Sequence, residues 1–228
     1  MKKSVRNKPT KESKALERFN LIFERGRQMV INSKALFILT ESMDGKIEVK
    51  IFNQSKPHYS DMCRSGIVMV VAAFDTYFTY RLSDAIIPYI KKKGVTKKTV
   101  SLLEGVGMDL EFALNLLQDS KRPNRRIRTL VEATYLRETT QNFDVIDKFF
   151  LSLGIKNFSD NVQAKVNRKT LKRSITKLIR RRNAIAHDGD LSRNGLLSDV
   201  NPDEILKKMD QVRLFVRTAD TIVASVIK

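Results

Sequence analysis

Tryptophan is absent from the sequence, cysteine occurs once (Cys63), and histidine twice (His58 and His187). One cysteine excludes an internal disulfide framework. With two histidines it gives no Cys/His cluster at zinc-ligand spacing, which argues against a zinc site. A carboxylate-only Mg²⁺ site stays open, but the acidic residues show no D-x-D or comparable grouping in an apolar setting, and no cofactor is expected. Glycine (9) and proline (5) are sparse across 228 residues, which argues against a turn-rich β architecture. No run of about 18 uncharged apolar residues is present to cross a bilayer. The basic start, Met1-Lys2-Lys3-Ser4-Val5-Arg6, has no apolar stretch behind it as a secretion signal would. A cytoplasmic protein without a membrane span is therefore expected. Acidic residues are the minority charge: 25 Asp and Glu face 43 Lys and Arg, a formal net charge of +18. That excess predicts a polyanionic partner, because each cation seated on a phosphate releases condensed counterions. An anionic membrane surface is the competing partner.

What is present is mostly helix-forming. Hydrophobic residues make up 42% of the chain, enough for a core, and no repeat or low-complexity linker divides it. The first nine residues read as a basic arm. From Thr10 the spacing of Leu16, Phe19, Leu21, Ile22, Phe23, Met29 and Val30 predicts an amphipathic helix running toward Ser33. Leu36-Phe37-Ile38-Leu39 and the alternating Ile47-Glu48-Val49-Lys50-Ile51 flank Met43-Asp44-Gly45, which predicts a small β-hairpin. The stretch from Asn53 to His58, with Pro57, reads as a loop. Ser60 to Lys92 is the most apolar segment and predicts a central buried helix, bent near Pro88 and ended by Lys91-Lys92-Lys93-Gly94. Further helices are expected over 108–119, 124–138 and 143–153, then a long one from Val166 to His187. Asn201-Pro202-Asp203-Glu204 carries the cap, first-position proline and carboxylates of a final helix start. The organisation expected is residues 1–58 as an N-terminal elaboration on a helical domain of residues 59–228, forming one unit.

The chemistry-bearing region is Leu171 to Gly189. At about 100° per residue, Leu171, Ile175, Leu178, Arg182, Ile185 and Ala186 share one face. Arg182 thus stands where a hydrophobe belongs, while Arg180 and Arg181 point toward solvent or ligand. A guanidinium on a packing face is costly unless partnered, and it keeps its charge at any usable pH. Asn183 and His187, four apart, project from one side and can bond each other or share a ligand. His187 lies ~140° around the axis from Arg182. Either the helix ends there, as Gly189 suggests, or the rest of the site comes from another molecule.

The segment Arg182-Asn183-Ala184-Ile185-Ala186-His187, followed by a Gly-containing loop and a closing helix, resembles the HEPN superfamily, in particular the RiboL-PSP-HEPN branch. Val70-Val71-Ala72-Ala73-Phe74-Asp75-Thr76-Tyr77 is similar to that branch as well. So is Thr140-Gln141-Asn142-Phe143 leading into Phe149-Phe150-Leu151-Ser152-Leu153-Gly154. The resemblance covers residues from about Ser60 to Lys228. It implies an all-α HEPN-type bundle, to which the hairpin would be an N-terminal insertion. It also implies a metal-independent endoribonuclease: His187 as general acid or base, Arg182 on the scissile phosphate, Asn183 orienting the pair. The 2′-hydroxyl would attack the adjacent phosphate, leaving a cyclic phosphate and a free 5′-hydroxyl. That reaction needs one group to take a proton and another to give one, and a chain with one candidate histidine is short by one. A homodimer supplies two copies across a two-fold interface, as members of the family are implied to do. The implied setting is a toxin or antiphage defence effector with an antitoxin or other defence partner. The alternative is a non-catalytic HEPN module that binds RNA or a partner protein. A nucleotidyltransferase-type partner would be favoured by Tyr two residues after the histidine, where this chain has Gly189.

The remaining candidates are weighed against plainer roles. Lys169, Lys172 and Arg173, with Lys165 and Arg168, precede the motif on the same predicted helix and form a phosphate track. Arg125 and Arg126, with Lys121, Arg122 and Arg128 around Pro123, form a second basic cluster that either follows an RNA backbone or is a solvated face. Cys63 reads as a small core residue, His58 as a surface histidine, and Tyr77 and Tyr80 as core rather than base-stacking rings.

Overall fold

The apolar segment of the middle of the chain becomes its longest helix and the axis around which the others are arranged. The computed structural model describes residues 12–43, 56–136 and 140–228. Among these, the helices in chain order are α1 (Lys14–Met43), α2 (Lys56–Lys93), α3 (Lys97–Gly105), α4 (Leu110–Asp119), α5 (Pro123–Tyr135), α6 (Phe143–Leu151), α7 (Phe158–Val166), α8 (Leu171–Asp188) and α9 (Pro202–Ile227). The all-α expectation holds. No described helix is long and apolar enough to cross a membrane.

Helix α2 packs against α1 along its length and also meets α5, α6, α8 and α9, while α9 closes the bundle against α1, α7 and α8. The core is aromatic at its centre. Phe78 meets Phe74, Tyr77, Phe150, Phe158 and Phe215 edge-on, with ring centroids 4.9 to 6.4 Å apart. Edge-to-face pairs set the positive rim of one ring on the negative face of the next. Cys63 and Tyr77 are fully buried within it, as expected.

Two glycines let α1 and α2 touch backbone to backbone. A Cβ on Gly66 would lie 2.6 Å from the Gly26 carbonyl oxygen, and one on Gly26 would lie 2.8 Å from that of Gly66. Farther along, Asp220 of α9 accepts from Ser13 (2.5 Å) and Tyr77 (3.2 Å) and lies 2.6 Å from the Arg81 guanidinium. This buried carboxylate ties three helices together. Burial, then the Asp220 charge, pushes the Tyr77 phenol well above its ordinary range.

Several sequence expectations change. Leu36 to Leu39, read as a strand, continues α1, and Phe37 packs edge-on against Tyr59 at 5.7 Å. A short unbroken apolar run fits a helix as well as a strand, and here the helix propagates through it. The second strand and its turn fall on 44–55, outside the described residues, as do the first nine residues of the basic arm. Pro57 and His58 lie in the first turn of α2 rather than in a loop; the side chain of His58 is outside the description. The long helix expected from Val166 starts later, since Val166 is the last residue of α7. Asn167 takes a left-handed conformation (φ 58°) that ends α7, and α8 starts only at Leu171. Helix α3, opened by a Thr96–Thr99 capping box, and α7 were not foreseen. The final helix starts as expected, with Asn201 accepting from the backbone N–H groups of Asp203 and Glu204.

Candidate active site

Leu171, Ile175, Leu178 and Ile179 bury one side of α8, and Ile185 packs against the core. The last turn then leaves the bundle: Ala186, expected on the packing face, is exposed, and so is His187. Gly189 takes φ 60° and its N–H bonds to the Ala184 carbonyl, so the helix stops one residue after His187. His187 is therefore held at the rim of the fold by backbone alone. Among the described residues no hydrogen bond joins it to Asn183.

Arg182 is half-buried, in keeping with its face. Its Nη1 donates to Asn183 Oδ1 at 3.1 Å and to Gln141 Oε1 at 3.4 Å, the latter at the limit of a hydrogen bond. Its Nε is buried without a partner. Both acceptors are neutral amides, so no carboxylate answers this charge among the described residues. Asn183 thus orients Arg182 and not His187.

The position of Gln141 is set from α2. Asp75 Oδ1 accepts from the Thr140 N–H at 2.6 Å, and the Thr140 hydroxyl bonds both the Asp75 carboxylate and, at 2.9 Å, its backbone carbonyl. Asn142 then caps α6 by accepting from the Asp144 N–H. Asp75 and Gln141 are site-supporting residues that sequence reasoning did not assign. Asp75 could have been suspected, since a carboxylate amid Ala72-Ala73-Phe74 in the most apolar segment needs a partner.

On the other side of α8, Arg181 is turned into the loop that follows the motif rather than toward solvent. Its Nη2 donates to Asp190 Oδ2 at 2.7 Å and to the carbonyls of Ser198 (3.1 Å) and Asp199 (2.9 Å). Asp190 is buried, not solvated, and also accepts from Arg64 Nε at 2.8 Å. Arg64 in turn reaches Ser60, Asp61 and the Ser198 carbonyl. Asp190 sits at φ 64° and its N–H bonds the Ala184 carbonyl. One carboxylate with two guanidinium groups therefore clamps the 190–199 loop to α2 and to the end of α8.

The basic residues expected to contact RNA are dispersed. Arg180 and Arg173 are exposed on α8. Lys172 pairs with Asp160 at 2.7 Å and passes over the Phe143 ring. Lys169 and Arg168 lie in the turn between α7 and α8, and Lys165 on α7, so the five cations do not follow one helix. Arg125 and Arg126 are exposed on α5. Among the described residues, no group of three or more His, Cys, Asp or Glu is arranged to hold a metal ion. A cleft of about 650 Å³ beside the clamp and one of about 730 Å³ along α5 are lined by neither Arg182, Asn183 nor His187. The motif lies on an open face of the single chain.

Compared with known proteins, residues 44–225 match the family model described as RiboL-PSP-HEPN. No curated protein and no solved structure matches the chain.

Proposed function

Because the chain belongs to the RiboL-PSP-HEPN family, and hence to a group with an RNA-related role in cleavage or binding, we propose that it is a metal-independent endoribonuclease with a site shared between two subunits. One observation carries this reading: Arg182 is a half-buried cation held by two neutral amides, in a molecule where Arg64, Arg81 and Arg181 each meet a carboxylate. A charge kept partly desolvated without a counter-charge is costly. A phosphodiester at the end of α8 would supply that counter-charge and gain a charge-assisted, planar contact.

In the reaction, His187 of one subunit takes the proton from the RNA 2′-hydroxyl. The 2′-oxygen forms a bond to phosphorus as the bond to the 5′-oxygen breaks. The partner subunit's His187 gives that oxygen a proton, so the products are a 2′,3′-cyclic phosphate and a 5′-hydroxyl. Arg182 offsets the charge that builds on the non-bridging oxygens. A toxin or antiphage effector restrained by a partner protein agrees with such an activity, since unrestrained RNA cleavage harms the cell.

A second reading is a binding module that does not cut. It is favoured by the exposure of His187, which no side chain orients among the described residues. Incubating total RNA with the wild type and with His187→Ala separates the two. Acid–base catalysis contributes about 10²- to 10⁴-fold, so loss of cleavage in that range is expected, with 5′-hydroxyl ends in the wild-type products. Equal cleavage by both proteins, or by neither, rejects the assignment of His187. A protein that stays monomeric while cutting rejects the shared site.

A further inference from the structure

The cations just before α5 and in its first turn differ from the ion-paired arginines of the protein. Lys121, Arg122, Arg125 and Arg126 are exposed, and among the described residues none of the four side chains has an ion-pair or hydrogen-bond partner. By contrast, Arg27, Arg64, Arg81, Arg128, Arg181 and Arg213 all meet carboxylates. Four like charges within six positions repel one another, and the start of α5 adds to them. Arg122 is its N-cap without a side-chain acceptor, and the first turn holds no acidic residue to answer the helix dipole.

These groups rim a cleft of about 730 Å³ with an apolar floor that includes Phe112 and Leu130. Phe112 is half-buried, lies outside the main hydrophobic cluster and stacks on no other ring among the described residues. A basic rim over an open aromatic face is what an unpaired nucleotide requires: phosphates on the cations, a base on the ring. A duplex keeps its bases stacked inside and offers no free base face to a ring.

We propose that this cleft is a second RNA-contact site that takes one unpaired nucleotide of a single strand, its base against Phe112 and Leu130 and its flanking phosphates on Lys121, Arg122, Arg125 and Arg126. The site concerns binding alone and does not depend on the cleavage reading.

The test uses full-length His187→Ala protein, so that the strand is not consumed, and fluorescence anisotropy with a short single-stranded RNA, its duplex, inorganic polyphosphate and AMP. Replacing Arg125 and Arg126 together by Ala is expected to weaken single-strand binding about tenfold or more. It should also lower the salt slope by roughly 1.4, since each single-strand phosphate contact accounts for about 0.7. Phe112→Ser is expected to weaken single-strand binding by about tenfold while polyphosphate binding stays unchanged. Phe112→Leu, which keeps an apolar side chain, serves if melting shows that the Ser variant is unfolded. Unchanged RNA affinity in the arginine variant overturns the proposal. Equal losses for RNA and polyphosphate in the Phe112 variant overturn the base contact and leave a bare anion patch. AMP binding that needs these residues, with RNA binding that does not, overturns it in favour of a free nucleotide. Absence of cleavage by the wild type would reject the nuclease reading and leave this result standing.

Discussion

Arg181 and Arg182 leave α8 at neighbouring positions, about 100° apart around its axis, and meet opposite electrostatic surroundings. Arg181 shares the buried Asp190 carboxylate with Arg64 and through the same Nη2 also reaches two loop carbonyls. Among the described residues, Arg182 finds only the amide oxygens of Asn183 and Gln141. The first arrangement is charge-neutralised and fixes a loop, whereas the second leaves a positive charge available to a ligand. Under the proposed function, two adjacent residues of one type thus divide into a structural and a chemical role according to whether a carboxylate lies within reach.

The largest effect expected from breaking this comparison is on the clamp. Asp190→Ala removes the carboxylate that both guanidinium groups share, leaving Arg64 with Asp61 and Arg181 with loop carbonyls, and removing one partner of a buried pair costs about 3–5 kcal/mol. Urea denaturation should show that loss, with activity falling in step with the folded fraction. If stability is unchanged, the clamp does not hold the loop.

Arg182→Met should behave in the opposite way. Cleavage is expected to drop by about 10²- to 10³-fold, the scale for losing one group that stabilises developing charge. Stability should hold or rise, since an uncompensated cation is replaced by an apolar side chain of similar length. Parallel rate and urea measurements check this. A destabilised variant with normal specific activity would reverse the assignment of the two arginines.

The smallest effect reports on the clamp from within. Cys63 precedes Arg64 and is fully buried, and burial pushes its thiol up to about 11 from 9.0 against the opposing pull of Ser33, Arg64 and Arg181. Since the folded value lies above the unfolded one, its contribution to stability is complete below pH 9 and is lost as pH rises through about 11. Cys63→Ala should flatten that part of the alkaline decline. At pH 8 the wild-type thiol should react slowly with an aromatic disulfide reagent, and faster in Asp190→Ala, where the loop is released. Equal reactivity in the two proteins would separate the thiol from the clamp.

How legible the site was depended on the range of each interaction. The end of α8 could be read because Gly189 lies two residues after His187, and the start of α9 because Asn201 and Pro202 act on the backbone next to them. The break at Asn167 was missed: a non-glycine residue in a left-handed conformation carries a weak local signal. Leu36 to Leu39 was ambiguous because four consecutive apolar residues have no period. The burial of Asp190 could not be read, since Arg64, its buried partner, lies 126 positions away. Gln141 could not be tied to Arg182, 41 positions on, without the Asp75–Thr140 contact that holds its turn.

By itself the sequence determined the helical class, the position of Arg182 on a packing face, the exposed end at His187 and the excess of positive charge. Each of these follows from periodicity, capping or composition, which act over a few residues or over the whole chain. Only the tertiary structure decided which cations are neutralised and which remain open. That choice depends on a carboxylate or an amide arriving from a distant helix, and electrostatic pairing at close range is set by folding rather than by neighbours along the chain.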